Sequence, residues 1–190
     1  MEVWKNVRWA EARQITELMG LEEESWPDES VTPKRFFDDA VSGHRLRQAV
    51  SFLGHALPRY DGVAWAAHLL DKQSRGGTLR PRDRQALDFA MRWVDDPNDD
   101  HRRAAYEAAE AATKGSAESL LALAVFFSGG SIAPPEYQAV LPQPELSGRM
   151  ASQAVLSAGH RTPSADAFFA EAVALGDQVA SEGTEALAGA

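Results

Sequence analysis

The residues best suited to chemistry in this chain are its five histidines. His55 and His68 lie on either side of Pro58, in two consecutive predicted helices, with Asp61 between them in the sequence. If these helices fold back on each other, the three side chains could act together as general acid and base. No two histidines lie three or four residues apart, the spacing that puts two metal ligands on one helix face. We therefore predict no metal site and keep His55, Asp61 and His68 as the one candidate enzyme site.

Adjacent carboxylates are the next candidates for catalysis, and they occur in three pairs. Catalytic carboxylates work in a shared pocket that excludes water, whereas neighbouring residues on a helix point in different directions. All three pairs lie at predicted helix ends or on polar faces, so we interpret them as capping and solvating groups. The pairs are Asp38-Asp39, Asp95-Asp96 and Asp99-Asp100.

One glycine-rich loop follows a strongly apolar segment, and it consists of Ser128, Gly129, Gly130 and Ser131. A phosphate-binding loop follows a strand and leads into a helix N-terminus, often with a lysine. This loop follows a predicted helix and leads into prolines, so its glycines are better explained as a helix C-cap. We predict no catalytic residues, no cofactor and no enzyme activity.

Features typical of protein-binding surfaces are better represented. Three of the five tryptophans, Trp4, Trp9 and Trp26, lie outside the clearest helices, and we expect them to attach the N-terminal segment to the rest of the fold. Segment 128–144 contains four prolines and is long for a loop in a compact domain, which favours a functional role. The candidate protein-binding residues are Trp65, His55, His68, Ser128, Gly129, Gly130, Ser131 and Tyr137.

The elements that must position these residues are helices, because apolar residues recur at helical spacing and alternating patterns are nearly absent. Prolines mark helix starts and glycines mark helix ends. We predict an all-α, compact bundle of about seven to eight helices in antiparallel hairpins, such as 44–57 with 58–74, with one long Pro-rich loop. The alanine-rich helix 98–114 is expected to be central and 117–127 the most buried. Residues 1–182 are predicted to form one domain and 183–190 a flexible tail.

Composition excludes several classes of protein. The net charge of −9 argues against nucleic-acid binding, which draws on basic surfaces. The absence of cysteine excludes disulfides and zinc–thiolate sites and fits a cytoplasmic location. No apolar run approaches the roughly 20 residues that a membrane span requires, and the first residues do not form a secretory signal.

Several motifs resemble those of a bacterial protein family of unknown function and about this length. The resemblance extends over roughly residues 4–158 and is most specific in two motifs. It implies an association with type VI secretion gene clusters, and a role as a cytoplasmic adaptor or co-chaperone for a secreted effector or spike component. It supplies no catalytic residues. The motifs are Trp4-Lys5-x-Val7-Arg8, Ala12-Arg13-x-Ile15, the segment from Ala49 to Ala66, and Phe127-Ser128-Gly129-Gly130-Ser131-x-Ala133-Pro134.

We therefore expect a non-enzymatic protein-binding adaptor or chaperone-like accessory protein, serving a type VI secretion system. Its partner would be another protein, such as a secretion component, an effector or a toxin. An immunity-type protein that neutralises a toxin is the first alternative, because an acidic surface suits electrostatic steering. An enzyme with a site around His55, Asp61 and His68 is the second. The oligomeric state stays open.

Overall fold

The computed structural model describes residues 4–189, and its regular structure is helical throughout that range. The all-α prediction is confirmed, with nine α-helices in the described residues where about seven to eight were expected. Short 3-10 helices cover Glu23–Ser25 and Gly183–Gly189. The α-helices are α1 (Ala12–Leu18), α2 (Pro33–Ser42), α3 (Leu46–Ala56), α4 (Arg59–Ser74), α5 (Pro81–Asp95), α6 (Asp99–Ala111), α7 (Ala117–Phe126), α8 (Leu146–His160) and α9 (Ala165–Glu182).

Proline and capping side chains set most helix starts, as the sequence predicted. Pro33 is the first residue of α2, where no intrahelical N–H is needed, and the Thr32 side chain accepts a hydrogen bond from the Arg35 N–H at 3.3 Å. Helix α2 ends at Ser42 with Gly43 as its C-cap, as the sequence predicted, and His44 after it takes a left-handed conformation with φ of 57°.

Helices α7 and α8 form the centre of the bundle. Helix α7 packs against α4, α5, α6 and α8, while α8 also packs against α3, α4 and α9. Most residues of α7 are buried, as the nearly continuous apolar sequence predicted. The alanine-rich helix α6 is not central: it packs against α5 and α7 and exposes Tyr106, Glu107 and Glu110. Its buried alanines are Ala105, Ala108 and Ala109, while Ala111 is exposed, so the number of alanines misled the prediction.

Helices α3 and α4 diverge at an extended corner formed by Leu57 and Pro58, whose ψ angles are 148° and 146°. The residue before a proline favours an extended backbone, which interrupts the helix at Leu57. Helix α3 packs against α2, α8 and α9, whereas α4 packs against α5, α7 and α8. This pair therefore does not form the antiparallel hairpin that the sequence predicted.

Both ends of the described chain lie against the bundle. The Trp4 indole is buried and donates a hydrogen bond to Asp177 Oδ1 at 2.6 Å, and the Asn6 N–H donates to Ala180 O at 2.9 Å. These contacts confirm that Trp4 attaches the N-terminal segment. The expected flexible tail is a 3-10 helix over Gly183–Gly189, and Leu187 within it packs against the core. Within residues 4–189, no helix is long and apolar enough to cross a bilayer.

Candidate functional site

Trp65, a predicted partner-binding residue, lies in the core of the bundle. Its side chain is fully buried, and its indole N–H donates a hydrogen bond to Ala172 O on α9 at 2.9 Å. Gly176, one turn further along α9, allows the indole to approach that helix closely. Trp65 therefore holds α4 against α9 and has no exposed surface with which to contact a partner.

The structure does not bring His55, Asp61 and His68 together into one site. Asp61 accepts a hydrogen bond from the Asn6 side chain at 2.6 Å. His55 lines a pocket to which neither of the other two residues contributes. Asp61 and His68 lie seven residues apart on α4, which is about 10 Å along the helix axis. The divergence of α3 and α4 explains this separation, because the predicted arrangement required the two helices to form a hairpin.

Each of the two histidines is unusual on its own. Burial lowers the pKa of His55, although a hydrogen bond with Ser51 O opposes that shift. Burial also lowers the pKa of His68, with the charge of Lys72 acting in the same direction. Since a carbonyl only accepts, the His55 Nδ1 must donate to Ser51 O, at 2.9 Å. The Nε2 atoms of both histidines are buried and have no hydrogen-bond partner among the described residues.

The Ser-Gly-Gly-Ser segment is held by a buried arginine that the sequence analysis did not identify. Arg102 on α6 is only 4% exposed and donates hydrogen bonds to Phe126 O and Ser131 O, both at 2.8 Å. Gly130 has a φ of 67°, and a Cβ atom there would lie 3.0 Å from the guanidinium of Arg102. Glycine is therefore required for two reasons, a left-handed backbone and the close approach of Arg102. These contacts form the base of the loop, and the Asp99 carboxylate adds to them by pairing with Arg102 at 2.6 Å.

A second set of hydrogen bonds closes the loop above this base. The Ser131 hydroxyl accepts from the N–H groups of Ala133 and Val140, each at 3.1 Å. The Ile132 N–H donates to Val140 O at 2.8 Å, and Arg103 donates to Ala133 O at 3.2 Å. The two bonds with Val140 join residues eight and nine positions apart, so the segment between them forms an ordered loop.

The projecting part of the loop exposes large apolar side chains. Tyr137 is 67% exposed, Val140 51% and Leu141 74%, while Pro142 is buried. Among the described residues only Tyr106 is another large hydrophobic side chain in the exposed class, at 37%. We call Tyr137, Val140 and Leu141 the loop tip. Exposed apolar residues that occur together mark interaction surfaces more often than single ones do.

A pocket of about 730 Å³ lies beside the base of the loop, where three parts of the chain meet. Of the residues that line the pocket, only His55 was predicted as a site residue, because the three parts are far apart in the sequence. The pocket is lined by Arg8 and Trp9 of the N-terminal segment, Leu18 at the end of α1, residues 54–60 at the α3–α4 corner, and Pro144, Glu145 and Gly148 around the start of α8.

Two glycines that line the pocket allow α3 and α8 to cross closely. A Cβ atom on Gly54 would lie 2.6 Å from Gly148 O, and one on Gly148 would collide with the Gly54 carbonyl. Both glycines are in helices, where glycine costs about 1 kcal/mol relative to alanine. The close crossing explains why glycine occupies both positions despite this cost. Within residues 4–189, no group of three or more histidine or acidic side chains is arranged to hold a metal ion.

The comparisons with known proteins give a family. A model described as a family of unknown function (DUF6931) matches residues 36–180, which include α3 to α8, the loop and most of α9. The match begins after the N-terminal segment, so Arg8, Trp9 and Leu18 of the pocket lie outside it. No curated protein and no solved structure matches the chain. Because the match covers well over half of the sequence, the chain belongs to the DUF6931 family of unknown function.

Proposed function

We propose that this protein is a non-enzymatic, protein-binding adaptor or chaperone-like accessory protein that engages its partner through the loop tip. The observation that carries this function is the joint exposure of Tyr137, Val140 and Leu141 on one ordered loop. Burying an apolar side chain at an interface is favourable, and tyrosine is one of the residues enriched among those that carry most of the binding energy. The loop tip supplies one tyrosine, with Val140 and Leu141 as further apolar surface.

The order of the loop supports this role. Arg102 holds the first part of the loop to α6, and the Ser131 hydroxyl ties Val140 back to that part, so a partner would not have to immobilise a flexible segment of 17 residues. Binding by a preorganised segment avoids much of the entropic cost of ordering. A rigid, convex, apolar loop is complementary to a concave apolar surface on a folded protein, and we propose that kind of partner.

We propose a cellular role on the basis of the resemblance in sequence motifs. It suggests a cytoplasmic accessory role in type VI secretion, with a secretion component or effector as the partner. An immunity-type role is the second candidate, favoured by the net charge of −9, because an acidic surface accelerates association with a basic toxin. The separate surroundings of His55, Asp61 and His68 argue against an enzyme that uses these three residues together.

The test compares three forms of the protein: wild type, the double variant Tyr137→Ser/Leu141→Ser, and Gln138→Ser as a control on the same loop. Each form is used to capture partners from a native lysate for mass spectrometry. The captured partner is then purified, and its affinity for each form is measured by calorimetry. Loss of two apolar anchors should weaken binding by roughly 30-fold or more, corresponding to about 2 kcal/mol. Gln138→Ser should change affinity by less than about threefold.

Equal affinities for the double variant and wild type would refute the loop tip as the binding surface. Sedimentation of the purified protein provides a second check. If wild type dimerises through the loop tip and the double variant is monomeric, the occupant is a second copy and the adaptor proposal fails. Protection of cells from a co-expressed toxin separates the immunity role from the adaptor role.

A further inference from the structure

The pocket beside the loop has the dimensions of a small-molecule site. Its volume of about 730 Å³ falls within the range of roughly 300–1,000 Å³ that is typical of ligand pockets. Three segments distant in the sequence form it: the N-terminal segment, the α3–α4 corner and the start of α8. Such a junction provides a recess that the convex loop tip does not.

The charge around this pocket is opposite to that of the whole protein. Arg8 and Arg59 line it and are exposed to solvent, and the charge of Arg149 acts on its His55. Within residues 4–189, none of these arginines pairs with a carboxylate. The acidic residue among the lining is Glu145. A chain with a net charge of −9 thus has a locally cationic recess, which attracts an anion.

The remaining lining is mainly apolar. Trp9, Leu18 and Tyr60 are half-buried, and Leu57 is buried. The Tyr60 hydroxyl is already engaged, because it donates a hydrogen bond to Val94 O at 2.9 Å. Tyr60 therefore offers the pocket mainly its ring, which together with the Trp9 indole suits a flat apolar body.

A polar group is also available in the lining. His55 Nδ1 donates to Ser51 O at 2.9 Å, so its Nε2 is the hydrogen-bond acceptor of the neutral ring. That Nε2 has no partner among the described residues. Burying an acceptor without a partner costs free energy, and a carboxylate, which only accepts, does not recover it, so recognition of an anion falls to the arginines and not to His55.

We propose that this pocket binds a small organic anion, a carboxylate with a flat apolar body, whose charged group pairs with Arg8 and Arg59 and whose body lies against Trp9 and Tyr60. Two exposed arginines beside a mainly apolar lining match that division within the ligand. The site goes beyond the proposed protein-binding function and is independent of it, because no residue of the loop tip lines the pocket.

The test uses 1-naphthoate as the probe and 1-naphthamide as its uncharged counterpart of nearly the same shape. Acetate and inorganic phosphate test whether the charge suffices without the apolar body. Binding is followed by NMR through the amide signals of Gly54 and Gly148 and the indole signal of Trp9. The amide signals of Val140 and Leu141 report on the loop tip as a control. We expect 1-naphthoate to shift the pocket signals and to bind at least about tenfold more tightly than each of the other three probes.

Arginine variants then test the charged contacts. Arg8→Gln and Arg59→Gln should each weaken 1-naphthoate binding by about tenfold, as expected for the loss of one charge-assisted hydrogen bond. Arg82→Gln, which removes an exposed arginine from α5, should leave the affinity unchanged. Arg8→Gln is the cleaner variant, because Arg59 also donates a hydrogen bond to Ser128 O at 3.3 Å.

Four results would overturn the proposal. The first is the absence of any shift at 10 mM 1-naphthoate. The second is equal binding of 1-naphthamide or of phosphate, and the third is unchanged affinity in both Arg8→Gln and Arg59→Gln. The fourth is a set of shifts confined to Val140 and Leu141, which would mean that the probe binds the loop tip. None of these results bears on the double variant of the loop tip, so the two proposals fail separately.

Discussion

The loop tip and the pocket are neighbours with opposite properties. The loop tip is exposed and apolar, and hydrogen bonds at the base of the loop order it. The pocket is concave and cationic, and a close helix crossing forms part of it. Arg59 connects them, because it lines the pocket and donates to Ser128 O at the start of the loop. A projecting apolar surface suits a macromolecule, whereas a charged recess suits a small ligand.

The two regions also differ in how they are stabilised. The loop depends on polar contacts made by a few side chains, above all those of Arg102. The pocket depends on the absence of side chains at Gly54 and Gly148. Removing a side chain should therefore damage the loop, and adding one should damage the pocket.

The largest effect should come from Arg102→Ala at the base of the loop. The substitution leaves the buried Phe126 carbonyl without its donor, at a cost of about 1–3 kcal/mol, and leaves the Ser131 carbonyl with only the longer bond from Arg103. We expect the free energy of unfolding to fall by about 2–4 kcal/mol. Denaturant titration measures this loss, and hydrogen exchange at the Val140 amide measures the opening of the loop.

Arg103→Ala is the matched control for this prediction. Arg103 donates to the same Ser131 carbonyl, but at 3.3 Å, and its side chain is more exposed. Its loss should cost about 1 kcal/mol or less. Equal destabilisation by the two variants would show that the contribution of Arg102 to stability does not depend on its burial.

The next effect should come from Gly148→Ala at the helix crossing. A new methyl group would meet the backbone of α3, which has no rotamer with which to move aside. Overpacking of this kind costs about 1–3 kcal/mol, and the pocket should change shape while the loop tip stays intact. Thermal denaturation measures the cost, and the amide spectrum shows which region changes.

Gly62→Ala serves as the opposite case on α4. A Cβ atom there would lie 3.7 Å from Leu57 Cβ, an ordinary contact distance. Because alanine is favoured over glycine in a helix, this variant should be neutral or more stable by up to about 1 kcal/mol. If Gly148→Ala were as harmless as Gly62→Ala, the helix crossing would not limit this position.

The sequence predicted the helices well because proline and capping residues act locally. Pro33 and Pro81 begin α2 and α5 where expected. The sequence predicted the site less well, because its contacts are long-range. Arg102 binds carbonyls 24 and 29 positions away, and no local pattern indicates this. Trp65 was misplaced for a related reason: its helix is apolar on several faces, so the pattern does not say which face is exposed.

The divergence of α3 and α4 shows where local rules stop. Leu57 before Pro58 correctly predicts a break between the helices. The direction in which the chain leaves that break depends on how α3 packs on α8, through Gly54 and Gly148. Two glycines about 90 positions apart are not recognisable as partners in a single sequence. The predicted site of His55, Asp61 and His68 depended on that direction.

The smallest effect, and the one that best separates the two regions, is their response to acid. Burial lowers the pKa of His55 beside the pocket, so the unfolded chain takes up a proton at higher pH than the folded chain does. The free energy of unfolding should therefore fall as the pH drops below about 6.5 towards the lowered pKa of the folded state. At the base of the loop, hydrogen bonds from Arg102 and then Arg103 lower the pKa of Asp99. Its contribution should persist until the pH falls below the usual carboxylate range, about 4.

An acid titration followed by NMR should thus perturb Gly54 and Gly148 before Gly129 and Gly130. Denaturant titrations between pH 7.5 and 5.5 should give a free energy of unfolding that rises with pH, and His55→Gln should reduce that slope. Part of the slope should remain, since burial lowers the pKa of His68 in the same direction. His160→Gln, at an exposed position on α8, is the matched control. Simultaneous changes at the loop and the pocket would mean that the two regions unfold as one unit. That result would contradict the view that the loop and the pocket are independent of each other.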